Sequence, residues 1–277
     1  MKQPVSCEWN ITNYCNLKCS FCSMNSEHYK DFENLNTIKI KEVAKKIKEV
    51  GCLYVSLSGG EPMSHPMFFD IIKELRKKNL EVTISTNGTL INSYNIKKLE
   101  KLKVKWIQIS LHGNQANVND KIMGKNVYNT IKKNIELIKQ SNIGISVASV
   151  MTTENKISIK KLHEELKREN IPHIIRKQML VGRAALIEKE LNISKKIKIE
   201  KNNKRCGYFF AIAVNGDIQP CGEFKIKLGN IFKDNLVKIW KNNPMLRMCS
   251  KDSGCLAEIY ENDESFRMQI NETIKKF

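Results

Sequence analysis

No run of apolar residues in this 277-residue chain approaches the ~20 that a membrane-spanning helix requires. The opening Met1-Lys2-Gln3-Pro4-Val5 also lacks the apolar core of a secretory signal, so the sequence predicts a cytoplasmic protein with no membrane partner. Low-complexity segments and internal repeats are missing as well. With 41% hydrophobic and 27% charged residues, the chain is excluded from the disordered class. Histidine is scarce: His28, His65, His112, His163 and His173 are all there are. His112 ends a strand and is a candidate for lining a site, whereas the other four read as surface or loop positions.

Acidic residues are the scarce ionic class, 29 against 47 Lys and Arg, for a net charge of +18. Such an excess would suit nucleic acid or an acidic peptide. A footprint should cluster, however, and here the bases recur along every predicted helix without interleaved aromatics. General Lys-rich usage is therefore the favoured reading, and nucleic acid the disfavoured partner.

Nine cysteines in a chain without an export signal point to metal or redox chemistry rather than disulfides. They are Cys7, Cys15, Cys19, Cys22, Cys52, Cys206, Cys221, Cys249 and Cys255, three packed together near the start and four near the end. Cys7 and Cys52 read as packing residues on buried strands.

Between Pro4 and Leu180 the patterns alternate. Period-two runs fall at Val5–Thr12, Leu53–Leu57, Glu81–Ser85, Trp106–Leu111, Ile145–Val150 and His173–Met179. Helical spacing occupies Ile38–Val50, Phe68–Lys78, Asn92–Lys101, Val127–Gln140 and Ser158–Asn170. The rhythm predicts an α/β fold of parallel strands with right-handed crossovers, either an open doubly wound sheet or a partial barrel. One-sided polarity favours the barrel: Glu8, Asn10 and Thr12 alternate with Cys7, Trp9 and Ile11, and Gln108, Ser110 and His112 with Ile107, Ile109 and Leu111. A strand covered by helices on both faces would be apolar on both. Residues 186–204 read as a linker or surface helix. Beyond them, Tyr208–Val214, Asn215-Gly216 and Asp217–Pro220 predict a hairpin with a two-residue turn, followed by a short helix over Asp234–Lys241 and a last helix from about Leu256. The expected organisation is a barrel over 1–185 and a small cysteine-bearing unit over 205–277.

Cys15, Cys19 and Cys22 form C-x3-C-x2-C directly after the first strand. Three thiolates on one loop can bind three irons of a four-iron cluster and leave the fourth open to a ligand. Zinc, the rival, prefers four ligands in structural sites. Ser58-Gly59-Gly60-Glu61-Pro62 follows the second strand, where glycines let backbone approach a ligand and a carboxylate can grip an amino group. Ser85-Thr86-Asn87-Gly88 follows the third strand, and Ser110 closes the fourth, so polar groups gather at successive strand C-termini.

These residues, with aromatic Phe21 inside the cysteine loop, resemble the radical S-adenosylmethionine (SAM) superfamily over about Pro4–Leu180. The resemblance implies a partial (β/α)6 barrel holding a [4Fe-4S] cluster whose open iron is chelated by SAM. Gly59, Gly60 and Glu61 would then contact the methionine amino group, and Thr86, Asn87 and Ser110 the ribose and carboxylate. It also implies reductive cleavage of SAM to a 5′-deoxyadenosyl radical that abstracts a substrate hydrogen, with flavodoxin or ferredoxin as electron donor.

Cys206 and Cys221 flank the hairpin, and Cys249 and Cys255 follow. Four soft ligands without a histidine suit a second iron–sulfur cluster, with zinc as runner-up. The spacing, with Leu228-Gly229-Asn230-Ile231 and an earlier Gly182-Arg183-Ala184, resembles the SPASM/twitch extension. Four cysteines instead of seven match the twitch form, with one auxiliary [4Fe-4S] cluster. Glu8, Asn10, Gln108, His112, Arg176 and Gln178 are the candidate substrate contacts, and Glu223 a candidate base. The resemblance implies modification of a ribosomally made peptide, by crosslinking or epimerisation, ahead of small-molecule dehydrogenation of the aminocyclitol kind. A non-catalytic iron–sulfur or zinc protein binding nucleic acid is the reading from another class. The segment before the first strand is too short for a built-in leader-binding domain, so recognition would use the barrel surface or a separate leader-peptide-binding protein.

Overall fold

The computed structural model describes residues 3–26, 35–178, 182–184, 208–243, 246, 260 and 263–275. Six strands run parallel in sequential order: β1 (Ser6–Asn10), β2 (Tyr54–Ser58), β3 (Glu81–Thr86), β4 (Trp106–Ser110), β5 (Gly144–Met151) and β6 (His173–Lys177). They alternate with α1 (Thr37–Glu49), α2 (Phe68–Lys77), α3 (Ser93–Lys101), α4 (Ala116–Met123), α5 (Tyr128–Lys139) and α6 (Lys156–Arg168). Strictly sequential order has no switch point, so right-handed crossovers place every helix on one face. The other face remains concave and polar. This is a partial barrel, and it excludes the doubly wound alternative.

Each helix forms where its apolar stripe meets the sheet. In α1 these residues are Ile40, Val43, Ala44 and Ile47, the Asn36 side chain caps Lys39 N–H, and Lys46 and Lys48 occupy the last turn. Cys7 and Trp9 of β1, and Ile11 just beyond it, face the same core, with Val55, Leu57, Ile84, Ile107 and Ile109 beside them. Cys7 and Cys52, 1% and 0% exposed, sit behind the sheet and do not open on the concave face.

The sheet continues past β1. Strand β7 (Phe209–Ile212) pairs parallel with it, and β8 (Asp217–Gln219) and β9 (Gly229–Asn230) add antiparallel. Helices α7 (Leu236–Asn242) and α8 (Glu264–Lys275) follow. The hairpin turn is one residue longer than expected. Gly216 N–H donates to the Ala213 carbonyl at 2.8 Å, and of the Asn215-Gly216 pair only Gly216, at φ +84°, is left-handed. The two-residue turn would have set Cys221 opposite Phe210. The observed register, Ala211 with Gln219 and Ile212 with Ile218, shifts the pairing by one residue.

The histidines also depart from expectation. His65 is buried and accepts Met67 N–H on Nδ1 at 3.0 Å, while His173 Nε2 meets Ser149 Oγ at 2.7 Å. His28 lies outside the described residues. Burial lowers His65 to about 4, His112 to about 3 (His173 adding to it) and His173 to about 4. Unfolding returns each to its ordinary value near 6.5. Stability from these neutral imidazoles is therefore complete above pH 6.5 and is lost as pH falls towards 4. Glu8 and Glu61, both raised to about 7 by burial, have the opposite sign and partly offset this loss between about 4.5 and 7. His65→Asn, which keeps an acceptor for Met67, is expected to flatten the acid limb by at most about 1.4 kcal/mol per pH unit. Thermal unfolding of both proteins from pH 7 to 4.5 measures this. Parallel curves would refute it.

Candidate active site

Beyond β1 the chain enters the cysteine loop, and three neighbours fix it. Ser20 N–H donates to the Ile122 carbonyl at 3.0 Å, and the Cys19 thiol lies 3.8 Å from the Met123 carbonyl. Both partners belong to α4, a helix the hydrophobic spacing did not reveal. Gly124 ends it at φ +71°, and a Cβ there would come within 2.9 Å of the Lys18 carbonyl. The third neighbour is Arg183, 8% exposed. Its backbone N–H donates to the Cys22 carbonyl at 2.9 Å, its Nη1 to the Cys19 carbonyl at 2.9 Å, and its Nη2 to the Ser26 carbonyl. The sequence marked Gly182-Arg183-Ala184 without assigning this clamp. Arg183→Met is expected to cost about 2–3 kcal/mol of charge-assisted bonding and roughly tenfold in retained iron. Iron per protein after anaerobic desalting measures it, and wild-type retention would refute the clamp.

The three thiols converge. Burial pushes Cys15 up to about 11; the Leu17 N–H and Asn87 amide pull it down, while Glu61 and Cys22 push it up. Burial likewise raises Cys19 to about 12, with Cys15 and Cys22 adding and Arg183 opposing. Buried thiols that feel one another's charge are stable as thiolates only beside a cation. Among the described residues no three His, Cys, Asp or Glu side chains close on a single ion.

The strand-end residues meet the same loop. Gly60 N–H donates to the Thr12 carbonyl at 2.7 Å and Glu61 N–H to the Tyr14 carbonyl at 2.8 Å. The glycines therefore let backbone approach the root of the cysteine loop itself: a Cβ at Gly59 would overlap the Thr12 carbonyl, and one at Gly60 the Tyr14 carbonyl. Glu61 is fully buried. Its Oε1 accepts from Met63 N–H (3.0 Å) and Thr86 Oγ1 (2.8 Å), and its Oε2 from Asn87 N–H (2.8 Å). The Glu61 carboxylate thus ties the end of β2 to the end of β3. Asn87 donates to Asn16 Oδ1 at 2.8 Å and reaches Cys15 Sγ at 3.8 Å. Phe21 packs on His112, ring centroids 4.4 Å apart. His112, 2% exposed, accepts Val150 N–H on Nδ1, so it is enclosed rather than lining the open lumen. Ser110 is partly exposed at the end of β4.

A family model for the radical SAM superfamily matches residues 9–166, more than half of the chain. The chain belongs to the radical SAM superfamily. A second model, for the SPASM iron–sulfur cluster-binding domain, matches residues 205–269. Members of this superfamily use SAM and a [4Fe-4S] cluster, and the second match is to a domain that binds a further iron–sulfur cluster. It is 30% identical to Fe-coproporphyrin III synthase of Methanosarcina barkeri over 62% of its own length and 43% of that protein's. It is 26% identical to the subtilosin biosynthesis protein AlbA of Bacillus subtilis, over 88% of this chain and 60% of AlbA. In fold it matches Streptococcus suis SuiB, solved bound to its precursor peptide SuiA, with TM-score 0.72, 18% identity, and coverage of 95% and 74%. The chain spans about two fifths of the length of the first curated relatives it matches.

On this radical SAM frame Cys15, Cys19 and Cys22 would hold the cluster. Of the second cysteine set only Cys221 lies within the described residues, accepting Phe224 N–H at 3.2 Å. Cys206, Cys249 and Cys255 lie outside them. No helix among the described residues is long and apolar enough to cross a membrane.

Proposed function

We propose that this radical SAM enzyme modifies a ribosomally made peptide, with Cys15, Cys19 and Cys22 as cluster ligands and Cys206, Cys221, Cys249 and Cys255 as ligands of one twitch-type auxiliary cluster. The observation that carries the reading is the joining of the cysteine loop to the Gly59-Gly60-Glu61 turn at the C-terminal rim of a polar half-barrel. When bound, SAM and the reduced cluster supply the hydrogen-abstracting radical. The chain's part is placement. Arg183 and α4 hold the loop, Glu61 ties β2 to β3, and the concave face presents Glu8, Asn10, Gln108 and Arg176 to a substrate. The names of AlbA and of SuiB with its precursor peptide support a peptide over a small molecule. The electron would come from a flavodoxin or ferredoxin, and a separate leader-binding protein would deliver the peptide.

Anaerobic protein loaded with iron and sulfide, mixed with SAM and dithionite, is expected to form 5′-deoxyadenosine. Adding the product of a short reading frame adjacent to this gene should yield a peptide of altered mass. Absence of 5′-deoxyadenosine under all conditions would overturn the reading.

A further inference from the structure

On the concave face Glu8 of β1 approaches Glu223, which follows β8. The loop carrying Glu223 lies directly over Glu8: a Cβ at Gly222 would come within 2.6 Å of Glu8 Oε1. Each carboxylate lacks what a buried acid requires. No hydrogen bond or ion pair of Glu8 is found among the described residues, and Glu223 Oε2 is shut from solvent without a partner. Burial raises the Glu8 carboxyl most, Glu223 adds to it and Arg176, exposed on β6, opposes it through space. Two residues along β1 on the same face lies Asn10, 2% exposed, whose side-chain amide also bonds to nothing among the described residues. Buried amides in folded proteins are almost always satisfied. The Asn10 amide and the Glu8 oxygens are not sealed from solvent, so these unbonded groups open on the concave face beside the enclosed Glu223 oxygen, where a ligand can reach them.

We propose that Glu8, Glu223 and Asn10 bind a protonated amine of the substrate. The number of donors and acceptors matches: an alkylammonium has three N–H donors, and the three side chains supply two carboxylates and one amide oxygen. A substrate cation also neutralises like charges that otherwise repel in a half-buried site. Glu8 stands on the barrel and Glu223 on the SPASM extension, so the amine would bridge the two parts of the chain. The inference rests on the proposed function only for the source of the amine, a lysine side chain as opposed to a small aminocyclitol.

The test is equilibrium binding by calorimetry to the anaerobic holoenzyme with SAM and no reductant. The probes are Nα-acetyl-lysine N-methylamide, its norleucine counterpart, 2-aminocyclohexanol and cyclohexanediol. The lysine probe is expected to bind about tenfold more tightly than norleucine, and Glu8→Gln and Glu223→Gln each to abolish that ratio. Far-ultraviolet circular dichroism and iron content establish that each variant is folded and loaded. Tighter binding of 2-aminocyclohexanol alone, lost in the same variants, would support the amine site while removing the peptide as its source. Equal affinity of charged and uncharged probes for the wild type, or a ratio unchanged in both variants, would overturn the proposal. Formation of 5′-deoxyadenosine is read separately, so failure of the amine site is distinguishable from failure of the radical chemistry.

Discussion

Replacing Cys15, Cys19 or Cys22 singly by alanine is expected to reduce 5′-deoxyadenosine formation at least about a hundredfold, since even residues supporting a metal ligand cost ten- to a hundredfold. The loss should accompany loss of the iron–sulfur absorption band. The informative comparison is with Cys7→Ala and Cys52→Ala. Those thiols lie behind the sheet, where burial raises Cys7 well above its ordinary value and Cys52 to about 12. Their removal should cost about 1 kcal/mol of stability and leave SAM cleavage intact. A core thiol sealed from the concave face is also poorly placed to return a hydrogen atom to a substrate radical. Normal cleavage in Cys19→Ala, or its abolition in Cys7→Ala, would contradict this assignment.

Most of the barrel was readable because period two and period 3.6 differ strongly over five to thirteen residues. The observed strands and the five expected helices lie within two residues of the expected bounds, on Val5–Thr12 as on Phe68–Lys78. What escaped was decided by contacts distant in sequence. Helix α4 carries only Ala116, Val118, Ile122 and Met123 as apolar positions, and it is held by the cysteine loop about a hundred residues earlier. The clamp by Arg183 spans more than 150 positions to Cys19 and Ser26. No local pattern encodes such a bond. The hairpin register turned on whether one residue or two at Asn215-Gly216 adopts positive φ, a distinction both turn types leave open at that dipeptide. For Glu61 the residue could be singled out but its bonds to Met63, Thr86 and Asn87 could not, because a carboxylate reads the same in sequence whether its partners are a ligand or the chain's own donors.

Gly60→Ala should be nearly as damaging as loss of a ligand, for a reason independent of cofactor contact. The added methyl would meet the Tyr14 carbonyl group and lie 2.7 Å from the Asn13 carbonyl oxygen, and all of these are backbone atoms with no rotamer to yield. Relief requires the turn after β2 to separate from the chain after β1. That movement stretches the Gly60–Thr12 and Glu61–Tyr14 bonds, each worth about 1 kcal/mol. It also shifts Glu61 against its donors at Met63, Thr86 and Asn87, and Asn87 reaches Cys15. The combined cost should be about 3 kcal/mol or more, a fall in melting temperature of roughly 6–12 °C, with iron retention reduced in parallel. Gly88→Ala is the control: its φ of +78° adds a backbone strain that Gly60 does not carry, but its Cβ would meet only side-chain atoms, the nearest on Ile109 at 3.1 Å, which can shift. It should therefore destabilise less and retain more iron. If Gly60→Ala melts and holds iron like the wild type, then the glycine pair is not what keeps the cysteine loop against the barrel rim.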